Sequence, residues 1–153
     1  MSRTIDRLAH EIVEELSNIG YDVACTIMAE NSYTGETLAS LQIVRNDDLH
    51  YTIMANSTAL LFFEFGAGVQ GTGHPQAGEF GMGAGTYPNQ KHALDPRGWW
   101  FPTEDPQLII RTDENGQGWG HSYGNPPHMP FYNAATQMKL DFEQVVEDVF
   151  STW

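Results

Sequence analysis

"TIDRLAHEIVEELSNIGYDVACTI", residues 4–27, decides how the chain begins to fold. Ile5, Leu8, Ala9, Ile12, Val13, Leu16 and Ile19 recur at spacings of three and four, and Asp6, Arg7, His10, Glu11, Glu14 and Glu15 fill the opposite face. This period predicts an amphipathic helix over residues 4–19, with Gly20 where a helix commonly stops. Tyr21, Val23, Cys25 and Ile27 then alternate with Asp22, Ala24 and Thr26, so a half-buried strand is expected next.

Working outward, "NSYTGET" (31–37) breaks the pattern, and "LASLQIVRN" (38–46) and "LHYTIMAN" (49–56) read as two strands. Asn46-Asp47-Asp48 supplies an Asx-type turn between them, which predicts a hairpin and a small antiparallel sheet. "STALLFFEFGAG" (57–68) has an N-cap candidate at Ser57 or Thr58 and is a short buried helix or a strand, which periodicity leaves open. Residues 66–128 hold all but two of the 15 glycines and all but one of the 8 prolines. So long an irregular stretch points to function or to an ordering partner. Within it, "QLIIRTDENGQGWGH" (107–121) reads as a hairpin about Asn115-Gly116. After Pro130, Phe131, Ala134, Ala135, Met138, Phe142, Val145, Val146, Val149 and Phe150 mark a final helix. The expected fold is α+β: a small antiparallel sheet flanked by an N-terminal and a C-terminal helix. A Gly/Pro-rich excursion over 66–128 interrupts a single domain spanning 1–153, a size at which one core suffices.

Twenty acids against seven bases give a formal charge of −13, which argues against a basic nucleic-acid-binding patch; repulsion would also serve a channel that conducts DNA, but acids scattered without a long block read by default as a solvated surface aiding solubility. No apolar run nears the length of a membrane span, the longest being Ala59–Phe63, and the N-terminal residues do not read as an export signal, so a cytoplasmic protein is expected. Cys25 stands alone, which rules out an internal disulfide framework and a multi-thiolate metal site, and reads as a small buried hydrophobe.

Three short motifs invite enzymatic readings, and each lacks its context. Gly120-His121-Ser122-Tyr123-Gly124 matches the nucleophile elbow, but Asn125-Pro126-Pro127 follows where a helix must start, and His128 precedes every candidate acid after Ser122. Gly66-Ala67-Gly68-Val69-Gln70-Gly71 matches the dinucleotide fingerprint without the helix whose N-terminus would face a pyrophosphate. Asp113, Asn115, Gln117 and Gly118 imitate the start of a calcium loop, yet Gly124 occupies the place of the bidentate Glu, so a turn is expected. His74, His92, His121 and His128 show no helical pairing for a metal. No catalytic residue, cofactor or metal is therefore expected.

Tyr87, Trp99, Trp100, Phe101, Trp119 and Tyr123 sit among glycines and prolines, where they form either a satellite core or a contact surface. Aromatics also stack on sugar rings, which keeps a glycan-binding module using Trp99, Trp100 and Trp119 as the alternative. Glu64, between Phe63 and Phe65, is either a solvated carboxylate or the partner of a basic group on an adjoining subunit.

"GHSYGNPPHMPFYNAATQMKLDFEQV" (120–145) resembles the closing signature of the phage neck and tail-completion protein family, with Pro130, Phe131 and Ala134 in the matching places. "FFEFGAG" resembles that family's aromatic-Glu-aromatic-Gly-small-Gly element, at Phe63, Glu64, Phe65, Gly66, Ala67 and Gly68. "TGETLAS" supplies Thr34, Gly35, Leu38 and Ser40, and "RGWWFP" resembles an aromatic patch of longer members. The long glycine excursion and Ala67, where threonine is common, depart from the pattern. The resemblance implies a virion structural protein that is not an enzyme: a self-associating ring, by analogy hexameric, at the head–tail junction. Its partners would be the tail tube and head-connector proteins, with DNA passing through, and it would reside in the virion after assembly in the host cytoplasm. Phe63, Glu64, Phe65, Trp99, Trp100, Phe101, Trp119 and Tyr123 are the expected contact residues.

Overall fold

The computed structural model describes residues 4–31, 35–57, 59–82 and 94–152. The chain is α+β, and it forms two compact units, residues 1–60 with 128–153, and residues 61–127.

The first unit is built on α1 (Ile5–Asn31), which runs straight through Gly20. The expected strand over residues 21–27 is helix, and Cys25 lies half-buried within it. The reason is packing. Gly20, Ala24 and Met28 continue the buried stripe at a spacing of four, so the apparent alternation coincides with a helical face. A Cβ at Gly20 would lie 2.7 Å from Ile53 Cδ1 and 2.8 Å from Met138 Sδ, so two other elements close onto the helix where it has no side chain. Glycine in a helix interior costs roughly 1 kcal/mol relative to alanine, an amount the close approach offsets. Leu8 and Met28 are fully buried, and each contributes about 1.5–3 kcal/mol by leaving water.

After α1 a single turn, α2 (Glu36–Ala39), follows Gly35 at φ 70°. Ser40 Oγ donates to Thr37 O (2.8 Å) and accepts from Asn56 N (3.0 Å), and the buried Thr37 hydroxyl bonds that of Ser57 at 2.9 Å. β1 (Gln42–Asp47) and β2 (His50–Met54) form the expected antiparallel hairpin, and Asp47 Oδ1 accepts from Leu49 N (2.8 Å) in the Asx turn. Tyr51 lies between His10 and Arg45, and its hydroxyl is buried with no hydrogen-bond partner among the described residues. The unit closes with α4 (Pro130–Ser151), which packs along α1. Met129 takes a left-handed conformation (φ 57°) and Pro130 occupies the first helical position, where its missing N–H costs nothing. Pro130 and Ala134 are buried, and Phe131 is half-buried, so the helix start is anchored mainly by the proline.

The second unit spans the glycine-rich stretch. α3 (Leu60–Phe65) opens it, so "LLFFEF" is helix, with Ser57 Oγ accepting from Ala59 N at 3.2 Å ahead of it. Thr58 lies outside the described residues. β3 (Ala67–Gly68) pairs antiparallel with β7 (Gly124–Asn125), and β4 (Trp99–Pro102), β6 (Gly118–Ser122) and β5 (Arg111–Thr112) form an antiparallel sheet with β6 central. The hairpin turns at Gly116 (φ 82°), as its Asn-Gly pair predicts.

Candidate functional site

α3 ends at Gly66, whose φ of 78° only glycine adopts without strain, and Gly66 N returns to Phe62 O at 2.9 Å. Asn125 Nδ2 donates to the same carbonyl at 2.8 Å, tying the far end of the unit to the first helix turn. Gly68 (φ 66°) lies under Trp99, whose ring would be 2.8 Å from an added Cβ. Gly124 (φ 92°) lets its backbone meet that of Ala67. The backbone around residues 66–68 and 124–125 thus forms one clasp.

Glu64 is buried, as is Phe65. The expectation of a solvated or intersubunit Glu64 gives way to a pair inside the unit: its Oε1 lies 3.1 Å from His74 Nε2, with His74 2% and Glu64 9% exposed at the side chain. Gln76 N donates to His74 Nδ1 (3.1 Å), which makes Nε2 the protonated nitrogen that donates to the carboxylate. The Phe65 ring meets those of His74 and Phe80 in tilted contacts, with centroids 4.4 and 5.8 Å away. Burying a carboxylate demands such a partner. Sequence spacing gave no sign of this pair, because nothing local links a helix carboxylate to a histidine ten residues on.

The sheet sorts the expected aromatic contact residues onto two faces. Cross-strand partners share a face, and successive residues alternate. Trp100 opposes His121, while Pro102 and Arg111 both oppose Trp119, so these residues line one side; Trp99, Phe101, Gly120 and Ser122 line the other. Phe101 lies over Gly120, where a Cβ would sit 2.6 Å from its Cζ, and is half-buried, as are Trp99 and the helix residue Phe63. Trp100 and Tyr123 are 41% and 49% exposed. Trp100, His121 and Tyr123 form a row of rings, with centroids 4.7 and 4.8 Å apart and edge-to-face geometry. Satellite core and open surface are therefore both present, one on each face. Tyr87 and the motif residue Thr34 lie outside the described residues.

Asp113 organises the hairpin end. Oδ1 accepts from Asn115 N (2.9 Å) and Gln117 N (3.0 Å), and Oδ2 accepts from Trp119 Nε1 (3.1 Å). The indole hydrogen bond, then the Gln117 amide, hold its carboxyl below the ordinary aspartate range, with Arg111 adding a smaller pull. The calcium-like spacing is thus a turn whose carboxylate is occupied by the chain's own donors.

Ser122 sits on antiparallel β6, its Oγ accepts from Gly124 N at 3.0 Å, and β7 follows it rather than a helix. Ala67–Gly68 is a two-residue strand, and Gly71 folds back against Ala67 instead of opening a helix. Among the described residues, no three His, Cys, Asp or Glu side chains are grouped to hold a metal, and no helix is long and apolar enough to cross a membrane. No protein-family model, curated protein or solved structure matches this chain.

Proposed function

We propose that this chain is a structural subunit of a tailed-phage virion: a ring-forming neck or tail-completion protein, tail-terminator-like, that joins the tail to the head connector and lets DNA pass. What carries the reading is the order of three motifs along one chain, at residues 34–40, 63–68 and 130–134. Their placement supports it. Gly35 begins α2, Gly66 and Gly68 make the clasp, and Pro130 starts α4, so each motif fixes a change of chain direction. The charge of −13 suits a wall along which DNA slides without adhering. The subunit resides in the virion and assembles in the host cytoplasm. Deleting its gene from the parent phage should give heads and tails that fail to join, or tails of abnormal length; normal infectious particles would refute the role.

A glycan-binding module is the second reading, favoured by the exposed ring row of Trp100, His121 and Tyr123. Trp99 lies on the opposite face, so the platform would be narrower than the three tryptophans suggest. Glycan-array binding lost in Trp100→Ala with folding intact is the result that would favour it.

A further inference from the structure

The outward face of the β4–β6–β5 sheet carries an arginine, Arg111, that makes no ion pair among the described residues and acts on Asp113 only as a weak electrostatic pull. Arg111 Cζ lies 4.0 Å from the centre of the Trp100 ring and 6.0 Å from that of Trp119. Among the described residues no carboxylate comes within ion-pair distance of it, whereas nearby Arg97 is held by Asp95 through bonds of 3.0 and 2.8 Å. In a chain with 20 acids and seven bases, an arginine left in this state is unusual. Stacking on an indole fixes the guanidinium plane and leaves its N–H edges for a carboxylate, so much of the ordering cost of binding is already met. Beside it, Trp100, His121 and Tyr123 border an open depression of about 550 Å³ together with Ile110, which is 65% exposed. Tryptophan, tyrosine and arginine are the residues that dominate protein–protein hot spots.

The complement lies on the other unit. A cleft of about 580 Å³ along α1 and α4 is bordered by Glu14, Glu15, Asp141 and Asp148, has Ile19 and Val149 among its apolar lining, and has no basic residue in its wall. We propose that the Trp100–Arg111–Tyr123 face of one copy docks into the α1–α4 cleft of a second copy, Arg111 entering among the carboxylates and Trp100 and Ile110 covering the apolar lining. The inference rests on the ring-forming reading and deepens it. Because face and cleft are different surfaces, the contact is head-to-tail, and it propagates until the rotation closes a ring.

The test uses the full chain, with sedimentation velocity and negative-stain microscopy. The wild type should form rings that loosen as salt rises, since the charged contact is screened. Arg111→Glu on the face, and Glu15→Lys with Asp148→Lys in the cleft, should each weaken self-association roughly tenfold or more. Ile110→Glu, at a solvent-exposed position, is a second face variant that spares the Arg111 stack and should behave alike. Mixing an Arg111→Ala face variant with a Glu15→Gln, Asp148→Asn cleft variant, neither of which creates a charge-swapped pair, should give a 1:1 dimer that grows no further, because only one intact face meets one intact cleft. Rings unchanged in the face and cleft variants would overturn this contact and leave the ring reading standing. A wild type that stays monomeric at low salt and high concentration would overturn both the contact and self-assembly of the ring. Unaltered assembly together with glycan binding lost in Trp100→Ala would assign the face to sugars instead.

Discussion

The helical unit and the glycine-rich unit are held by different means. In the first, apolar side chains at helical spacing bury one another: Leu8, Ala24 and Met28 on α1, Ala134 and Val145 on α4. In the second, the buried groups include Glu64 and His74, and backbone packs closely against backbone at Gly66, Gly68, Gly71, Gly98 and Gly124. The difference teaches that a stretch with little periodicity can still be specifically folded. Glycines shorten the distance between strands, and a few polar side chains fix the turns.

The largest expected effect separates the two means directly. His74→Ala removes the buried imidazole that donates to the Glu64 carboxylate and should cost about 2–4 kcal/mol. In a Trp153→Phe background, fluorescence from Trp99, Trp100 and Trp119 follows the second unit, and far-UV dichroism at the helix minimum follows α1 and α4. The fluorescence transition should move to lower denaturant first; coincident movement of both signals would mean that the units unfold as one body.

Next in size are the glycines. Gly124→Ala puts a Cβ into the Ala67 backbone at φ 92° and should destabilise by about 2–4 kcal/mol. Gly78→Ala, in open space with no unusual φ, should instead stabilise by about 0.4–1 kcal/mol. Equal effects at the two positions, measured by urea denaturation, would show that backbone proximity is not what holds the second unit. Gly20→Val tests the first unit in the same way: overpacking against Ile53 and Met138 should cost about 1–3 kcal/mol, seen as a lower midpoint in the far-UV signal.

A smaller effect depends on pH. Asp113 has its folded-state pKa lowered, so its contribution is present above the unfolded aspartate value of about 3.9 and is lost as pH falls through the folded value. The Trp119 indole N–H resonance should shift across that acidic range in the wild type, and Asp113→Asn should abolish the shift. A wild-type resonance that stays fixed would mean that the indole bond does not depend on the carboxylate charge. Smallest of all, Tyr51→Phe removes a buried hydroxyl that has no partner among the described residues, so stability by thermal unfolding should hold or rise by up to about 1 kcal/mol; a clear loss would reveal a bond to that hydroxyl.

These contrasts also explain what could be read from the sequence. Both long helices, the 42–54 hairpin and the Asn115-Gly116 turn were legible because period and turn chemistry act over a few residues. The stop at Gly20 misled, because only the positions of Ile53 and Met138 reveal why a glycine belongs inside that helix. Among the contact residues, strand alternation divides Trp100 and Tyr123 from Trp99 and Phe101, but the register with β6 is a long-range fact. Arg111 went unremarked, and His74 was weighed only as a metal ligand, since their significance lies in the ring and the carboxylate they meet, not in their neighbours along the chain.

The clasp of β3 on β7 has a topological consequence. Ala67 pairs with Asn125, about sixty residues later, and an added Cβ at Gly66 would lie 2.8 Å from Pro127 N. The glycine-rich unit therefore begins and ends at one point, as an inserted module does. Such a module can lengthen, shorten or be exchanged without changing the separation of the chain ends it leaves behind. Replacing residues 66–126 with a short flexible linker should leave α1, the β1–β2 hairpin and α4 able to fold as a minimal helical protein.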